Sequence, residues 1–171
     1  MTGTAAKAQI HILTGGTGAG KTSHARALAA QYGAMRFSID NWMVRLFWMD
    51  SPEVISFDWT MERIGRVEAQ MRDNIAALAQ IGVGSILDLG FTKRAHRAAF
   101  AQFAAQLGLP VSLVWIDVPA DERWRRVEQR NAQKGASFAM EVDRAMFDFM
   151  EGAWEAPTVT EADYTRFMQV T

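Results

Sequence analysis

The sequence predicts an α/β domain in which a parallel sheet is covered by helices on both faces. Three observations carry that expectation. Short β-rich runs alternate with longer helical stretches along the 171 residues. Runs such as VSLVWIDV (111–118) are almost continuously apolar, as strands buried on both faces must be. The first run passes through a glycine-rich stretch, GGTGAGKT (15–22), directly into a helical one.

The elements follow in order. QIHILT (9–14) reads as the first buried strand, ending in the glycines. KTSHARALAAQY is alanine-rich and helical, with Gly33 as its C-terminal stop. MRFSID (35–40) is a second strand. NWMVRLFWMDSPEVISFDW is dense in aromatics and reads as a short helix and a loop broken at Pro52. In TMERIGRVEAQMRDNIAALAQIG, Ile64, Val67, Met71, Ile75 and Leu78 recur at helical spacing. SILDLG (85–90) is a third strand, KRAHRAAFAQFAAQLG a helix, and VSLVWIDV a fourth strand. ADERWRRVEQRN and MEVDRAMFDFMEG are helical around a loop-like NAQKGASF, and YTRFMQV is a weaker fifth strand. With no repeat, low-complexity tract or linker, a single domain over 1–171 is expected.

Composition narrows the function classes. The apolar fraction of 49% and charged fraction of 22% are those of an ordinary globular chain. A net charge of −1 gives no global field toward nucleic acid or acidic membranes. The absence of cysteine excludes a disulfide framework, a thiolate metal site and a cysteine nucleophile. MTGTAAKAQIHIL lacks the apolar core of a signal peptide, and no run approaches the ~20 apolar residues of a membrane helix. The expected location is cytoplasmic.

A dinucleotide fingerprint needs G-x-G-x-x-G, and that pattern fails because Lys21 stands three residues after Gly18. G-x-x-x-x-G-K-[ST] is met by Gly15, Gly20, Lys21 and Thr22, between a strand and a helix. Gly15, Gly16, Thr17, Gly18, Ala19, Gly20, Lys21, Thr22 and Ser23 are therefore the expected nucleotide-binding residues. The glycines let consecutive N–H groups converge on phosphate oxygens, and the helix adds the positive end of its dipole. Lys21 should reach the β- and γ-phosphates, and the Thr22 hydroxyl should ligate Mg2+. ATP and Mg2+ are the expected cofactors.

Ligands of open α/β sheets sit beyond the carboxyl ends of the strands, and Asp40, Asp88 and Asp117 lie there. Asp40 either orients an acceptor hydroxyl or caps the helix beginning near Asn41. Asp88, after Ser85-Ile86-Leu87, either holds Mg2+ through water or caps the turn at Gly90. Asp117, beside Val118-Pro119, reads as structural. Arg123, Arg126 and Arg130 share one helical stripe, either a solvated face or a lid of arginines. Arg126 and Arg130 are the residues chosen from it, with the lid spanning approximately 126–140. His11, His24 and His96 show no metal-ligand spacing. Trp42, Phe47, Trp48, Phe57 and Trp59 are either an acceptor pocket or plain packing.

Taken together, GGTGAGKT, FSID, ILDLGFTKRAHR, WIDVPADERWRRVEQRN and WEAPTVTEAD resemble the small bacterial P-loop kinases often labelled AAA-domain ATP-binding proteins. These are similar to chloramphenicol phosphotransferase, zeta-toxin kinases and the polynucleotide kinase domain. The resemblance implies a three-layer αβα P-loop NTPase fold with strand order 2-3-1-4, a possible fifth strand and an arginine-bearing lid. It matches Asp40 to the acid that activates the acceptor hydroxyl, and Arg126 and Arg130 to lid arginines. It also places Asp88, Arg94 and Arg97 near the acceptor. Thr92 and Lys93 stand where the family often has aromatic or serine residues, which leaves the acceptor open.

The leading function is an ATP-dependent phosphotransferase acting on a hydroxyl of a small molecule. A 5′-hydroxyl polynucleotide kinase would want a basic channel, and 18 basic residues against 19 acidic ones argue against a nucleic acid partner. A regulatory nucleotide-binding module would have no need of Asp40.

Overall fold

Strand β1 (Ile10–Thr14) is buried at every position, as its apolar run requires, and lies at the centre of a five-stranded sheet. The computed structural model describes residues 8–134, 141–158, 161 and 164–171. β3 (Ser85–Asp88) and β4 (Val111–Ile116) flank β1, and β2 (Met35–Ser38) and β5 (Arg166–Val170) form the edges. The order is β2-β3-β1-β4-β5 and every pairing is parallel. The expected order is therefore found, with the fifth strand added beside β4. Ser38 pairs with Asp88, so the carboxyl ends of β2 and β3 finish level with each other.

Helices α1 (Lys21–Tyr32), α2 (Ile39–Phe47), α3 (Phe57–Gln80), α4 (Arg94–Gln106), α5 (Ala120–Gln133) and α6 (Arg144–Ala153) surround the sheet. Gly33 ends α1 in the left-handed conformation at φ 59°, as glycine at that place predicts. α3 buries Val67, Met71 and Ile75 on the periodic face, against Ile10, Ile12, Phe37 and Leu87. Ile64 and Leu78 pack against the same core from partly buried positions. A second core lies under α1, where Leu13, Ala25, Ile86 and Val114 meet.

Helix α2 starts two residues earlier than the sequence pattern implies. β2 stops at Ser38, so Ile39 and Asp40 belong to the helix. Asp40 is thus in the first turn rather than at the cap, and Ser38 occupies the cap position. The expected lid falls in two parts: α5 continues unbroken through Gln133, and residues 135–140 lie outside the described residues. Of the residues on either side, the Asn131 amide donates to the Val142 carbonyl and accepts from its N–H, at 2.8 and 3.3 Å.

Arg97 departs from the sequence expectation. It is fully buried, and its guanidinium donates to both carboxylate oxygens of Glu161, at 2.8 and 3.3 Å, and to the carbonyl oxygens of Phe91 and Glu155. Beside it, the Arg94 N–H and Lys93 ammonium both donate to the exposed Glu155 carboxylate, which closes the N-terminus of α4. The Arg94 amide and then Lys93 hold that carboxyl below its usual range. The DLGFTKRAHR stretch therefore anchors the chain segment that follows α6.

Burial alone would raise the Glu161 carboxyl, but the Arg97 hydrogen bonds and charge, helped by the Thr158 amide, bring it below its usual range. Arg97→Met should destabilise the protein by about 3 kcal/mol, because it leaves the covered Glu161 carboxylate without its counter-charge. Urea unfolding at pH 7 measures this. The sign follows from the lowered carboxyl: the loss shrinks as pH falls through the folded-state value and Glu161 becomes neutral.

Candidate functional site

The loop from Gly15 to Gly20 joins the carboxyl end of β1 to α1, as the motif requires. Gly18 has φ +81°, and a Cβ there would collide with the Arg123 carbonyl of α5. Gly20 has φ +95° and forms the N-terminal boundary of α1. A side chain at either would strain the backbone, so the bareness of the stretch is a steric need. Ala19 is fully buried under the loop.

The loop borders a cavity of about 440 Å3. Gly15, Gly16, Thr17, Gly18, Gly20, Lys21, Thr22 and Ser23 line it on one side. Asp40, Asp88, Thr92, Arg126 and Arg130 face the same space, and Val142, Met150 and Trp154 close it with apolar surface. The fold thus gathers onto one cavity the loop, both acids and both chosen arginines. Arg94 and Arg97 do not line it: Arg94 is exposed elsewhere and Arg97 is locked to Glu161.

The Lys21 ammonium donates to the carbonyl oxygens of Gly15 and Gly16, at 2.9 and 3.0 Å, and is held over the loop. Burial lowers its pKa, against the opposing attraction of Asp88 and Asp40. Thr22 Oγ1 donates to Asp88 Oδ2 at 3.1 Å, and Arg36 Nη2 donates to the same oxygen at 2.8 Å. The Asp88 carboxylate is thereby fixed beside the helix start, and its other oxygen takes no hydrogen bond among the described residues.

Thr22 and Asp88 suit a cation that keeps most of its water. Among the described residues no group of three or more His, Cys, Asp or Glu side chains forms a metal cage. Mg2+ needs none, because it commonly takes one or two protein oxygens together with water and phosphate oxygens.

Asp40 is exposed into the cavity and yet hemmed in by protein, because the cavity is concave: water touches the carboxylate but solvates it incompletely. Burial first, then repulsion from Asp88, raises its pKa, while Lys21, Arg36 and Arg130 oppose the rise. Among the described residues it accepts no hydrogen bond.

Arg130 faces it from α5. Its Nε and Nη2 are buried without a hydrogen-bond partner among the described residues, an expensive state for a guanidinium that has no ligand to meet. Burial lowers its pKa and Asp40 raises it again. Arg126 is more occupied, donating to the Ala19 carbonyl at 3.3 Å and pairing with Glu122 on its own helix.

Sequence reasoning misses two arginines. Arg123 is nearly fully buried and holds Glu151 of α6 through both carboxylate oxygens while donating to the Thr17 and Val118 carbonyls. It clamps the loop to α5 and α6. The helical stripe marks it, but not its direction toward the loop. Arg36, on the edge strand, carries no motif at all. Of the histidines, His11 is buried in β1 with its pKa lowered by burial, His96 packs between Phe91 and Phe100, and His24 Nδ1 lies 3.2 Å from the Gly20 carbonyl oxygen at the end of the loop.

Sheet order, phosphate loop and flanking helices define a P-loop NTPase-like αβα protein, of a class that binds nucleotides. The chain belongs to the AAA-domain family, whose match spans residues 10–157. No curated protein matches it.

Similar solved structures include Kti12 of Chaetomium thermophilum in complex with ADP-AlF3. That likeness has 16% identity, 95% of this chain against 88% of that one, and TM-score 0.65. A candidate kinase of Chloroflexus aurantiacus is similar at 16% identity, 96% against 88%, and TM-score 0.72. A gluconokinase of Sinorhizobium meliloti is similar at 15% identity, 96% against 82%, and TM-score 0.61. At these identities the likeness is one of fold. Among the described residues no helix is long and apolar enough to cross a membrane.

Proposed function

We propose that the protein is a phosphotransferase that moves the γ-phosphoryl group of Mg-ATP to a hydroxyl of a small-molecule acceptor. The observation that carries this reading is Asp40: an acid with a raised pKa and no hydrogen bond of its own among the described residues, facing the cavity of the phosphate loop opposite Arg130. A module that only bound or hydrolysed nucleotide would not need it. The gluconokinase likeness supports a small hydroxylated acceptor, and the balance of 18 basic to 19 acidic residues favours it over nucleic acid.

The geometry supports a role for each of these groups. The loop amides and Lys21 would hold the β- and γ-phosphates, with Thr22 and Asp88 presenting oxygens to a hydrated Mg2+ that neutralises phosphate charge. Asp40 would accept a hydrogen bond from the acceptor hydroxyl and aim its lone pair at the γ-phosphorus. The new O–P bond forms as the β–γ bridge breaks, the bridge electrons leave with ADP, and the hydroxyl proton passes to Asp40. Because the transition state is loose, this positioning matters more than base strength. Arg130 would place its unpaired donors on the group in flight.

ADP release on a panel of hydroxylated metabolites and antibiotics tests the reading, and ADP formed only by slow hydrolysis across the panel would count for the switch. Arg130→Ala should lower single-turnover transfer by about a hundredfold or more while changing ADP affinity far less, since its charge is most useful in the transition state. Arg126→Ala should show the same pattern more weakly, because Glu122 already neutralises it. Equal losses of ADP affinity and rate would make both ground-state binders.

A further inference from the structure

Three residues that line the cavity outside the phosphate loop, Asp40, Thr92 and Trp154, come from segments that the fold brings together. Ser38 and Asp88 finish level at the ends of β2 and β3, and Asp40 and Thr92 follow them within a few residues. The Glu155 N–H donates to the Thr92 carbonyl at 2.8 Å, which sets Trp154 beside Thr92. Trp154 also packs on Trp115 of β4, with ring centroids 6.4 Å apart.

The turn that delivers Thr92 is strained. Phe91 stands in the left-handed region at φ 36°, which is rare for a bulky side chain. Its buried ring meets Phe100 edge-on, and its carbonyl accepts from Thr14 Oγ1 and Arg97 Nη1 at 3.1 and 3.3 Å. With Phe91 turned into the core, Gly90 and Thr92 on either side of it both line the cavity. Strain of this kind persists where the surroundings over-determine it, and it clusters at ligand sites. Thr92 is exposed, and its hydroxyl takes no hydrogen bond among the described residues.

The cations are distributed unevenly. Among the described residues Lys21, Arg126 and Arg130 line the cavity. Lys21 lies over the loop, Arg126 is paired with Glu122, and Arg130 is assigned to the group in flight. Cations nearby that do not line it are spent elsewhere: Arg36 on Asp88, Arg97 on Glu161 and Lys93 on Glu155. The corner of Asp40, Thr92 and Trp154 therefore offers a carboxylate, a hydroxyl and an indole, with no cation left for an acceptor.

We propose that the acceptor is an uncharged polyol of the sugar class. Its reacting hydroxyl meets Asp40, a second hydroxyl meets Thr92 Oγ1, and its C–H surface packs on Trp154. The inference rests on the phosphotransfer reading. An acceptor carboxylate or phosphate would stand near Asp40 and the γ-phosphate with no cation to receive it, and like charges so placed repel. An ammonium would pair with Asp40 and compete with the reacting hydroxyl for it.

Matched acceptors test this, with ADP release and product mass as readouts: glucose against gluconate, glucose 6-phosphate and glucosamine, and galactose, ribose and myo-inositol against their acid, phosphate and amino counterparts. Uncharged members should be phosphorylated with kcat/KM about a hundredfold or more above their charged counterparts. Thr92→Lys brings a cation to the corner, so it should raise kcat/KM for the acid counterpart about tenfold and lower it for the uncharged one. Trp154→Ala should raise the acceptor KM about tenfold and the ATP KM less than about twofold. Trp154→Phe keeps an aromatic surface and should restore the acceptor KM. A charged counterpart used as well or better overturns the inference and leaves phosphotransfer standing. So does Thr92→Lys without gain for the acid, or Trp154→Ala with both KM values rising together. ADP formed by hydrolysis alone across every set overturns the phosphotransfer reading and this inference with it.

Discussion

Lys21→Ala should abolish productive Mg-ATP binding, lowering affinity or turnover by at least about a hundredfold, while the protein still folds. The two effects separate because of what Lys21 touches. Its ammonium spans the Gly15 and Gly16 carbonyls, so alanine removes two hydrogen bonds from the loop. Those bonds are worth about 1 kcal/mol each in net terms. Against that, burial keeps the lysine below its ordinary pKa, so holding it charged in the fold already has a cost that alanine removes. The balance should leave the melting temperature within a few degrees of the parent. On the ligand side, no other lysine among the described residues lines the cavity, and the lining arginines stand on α5 rather than on the loop. Mg-ATP titration and thermal melting on the same preparation are the measurements. Intact folding with unchanged binding would sink the phosphate-loop reading.

The phosphate loop is legible in the sequence because its function is carried by contiguous residues whose backbone geometry the glycines reveal. The strands are legible for a related reason: a parallel sheet covered on both faces leaves its strands no polar side, so each stands out as a short apolar run. The acids at the strand ends follow from where α/β sheets bind ligands. What sequence leaves unspecified is the partner of each charge. Arg97 and Arg94 stand in one motif, yet Arg97 points inward to Glu161, 64 positions later, while Arg94 stays in water. No local spacing encodes that pairing. Arg123 and Arg130 lie seven residues apart on one stripe of α5, but the first is spent on Glu151 and the loop, whereas the second keeps unpaired donors beside the acid. Helical periodicity gives the shared face and not the depth. The aromatic stretch shows the same limit from the other side: its composition suits packing, yet Trp48 and Phe57 stay exposed.

Asp40→Asn separates a phosphotransferase from a nucleotide-binding switch. The structure removes one rival role, because Asp40 lies inside the first turn of α2 and does not cap it. A negative charge there still favours the helix dipole by about 0.3–1 kcal/mol, and asparagine forgoes that. The raised pKa works in the opposite direction: an acid whose folded-state pKa exceeds its unfolded one destabilises the fold when ionised, and a neutral amide escapes the penalty. The two small effects offset each other, so melting temperature and Mg-ATP affinity should stay near the parent values. Transfer should not. Asparagine cannot take the hydroxyl proton and presents an amide where the acceptor expects a carboxylate, so single-turnover transfer should fall by about a hundred- to ten-thousand-fold. The parent should also lose transfer as pH falls through the Asp40 pKa. Burial and Asp88 raise that value, so the loss should begin at a higher pH than for an ordinary aspartate near about 3.9. The Asp40→Asn variant should lack that limb of the profile. Slow hydrolysis of ATP by water serves as the internal control, since water needs no acceptor site. If transfer survives the substitution, Asp40 is not the acceptor acid. If hydrolysis alone drops and no acceptor is phosphorylated, the switch reading replaces the kinase.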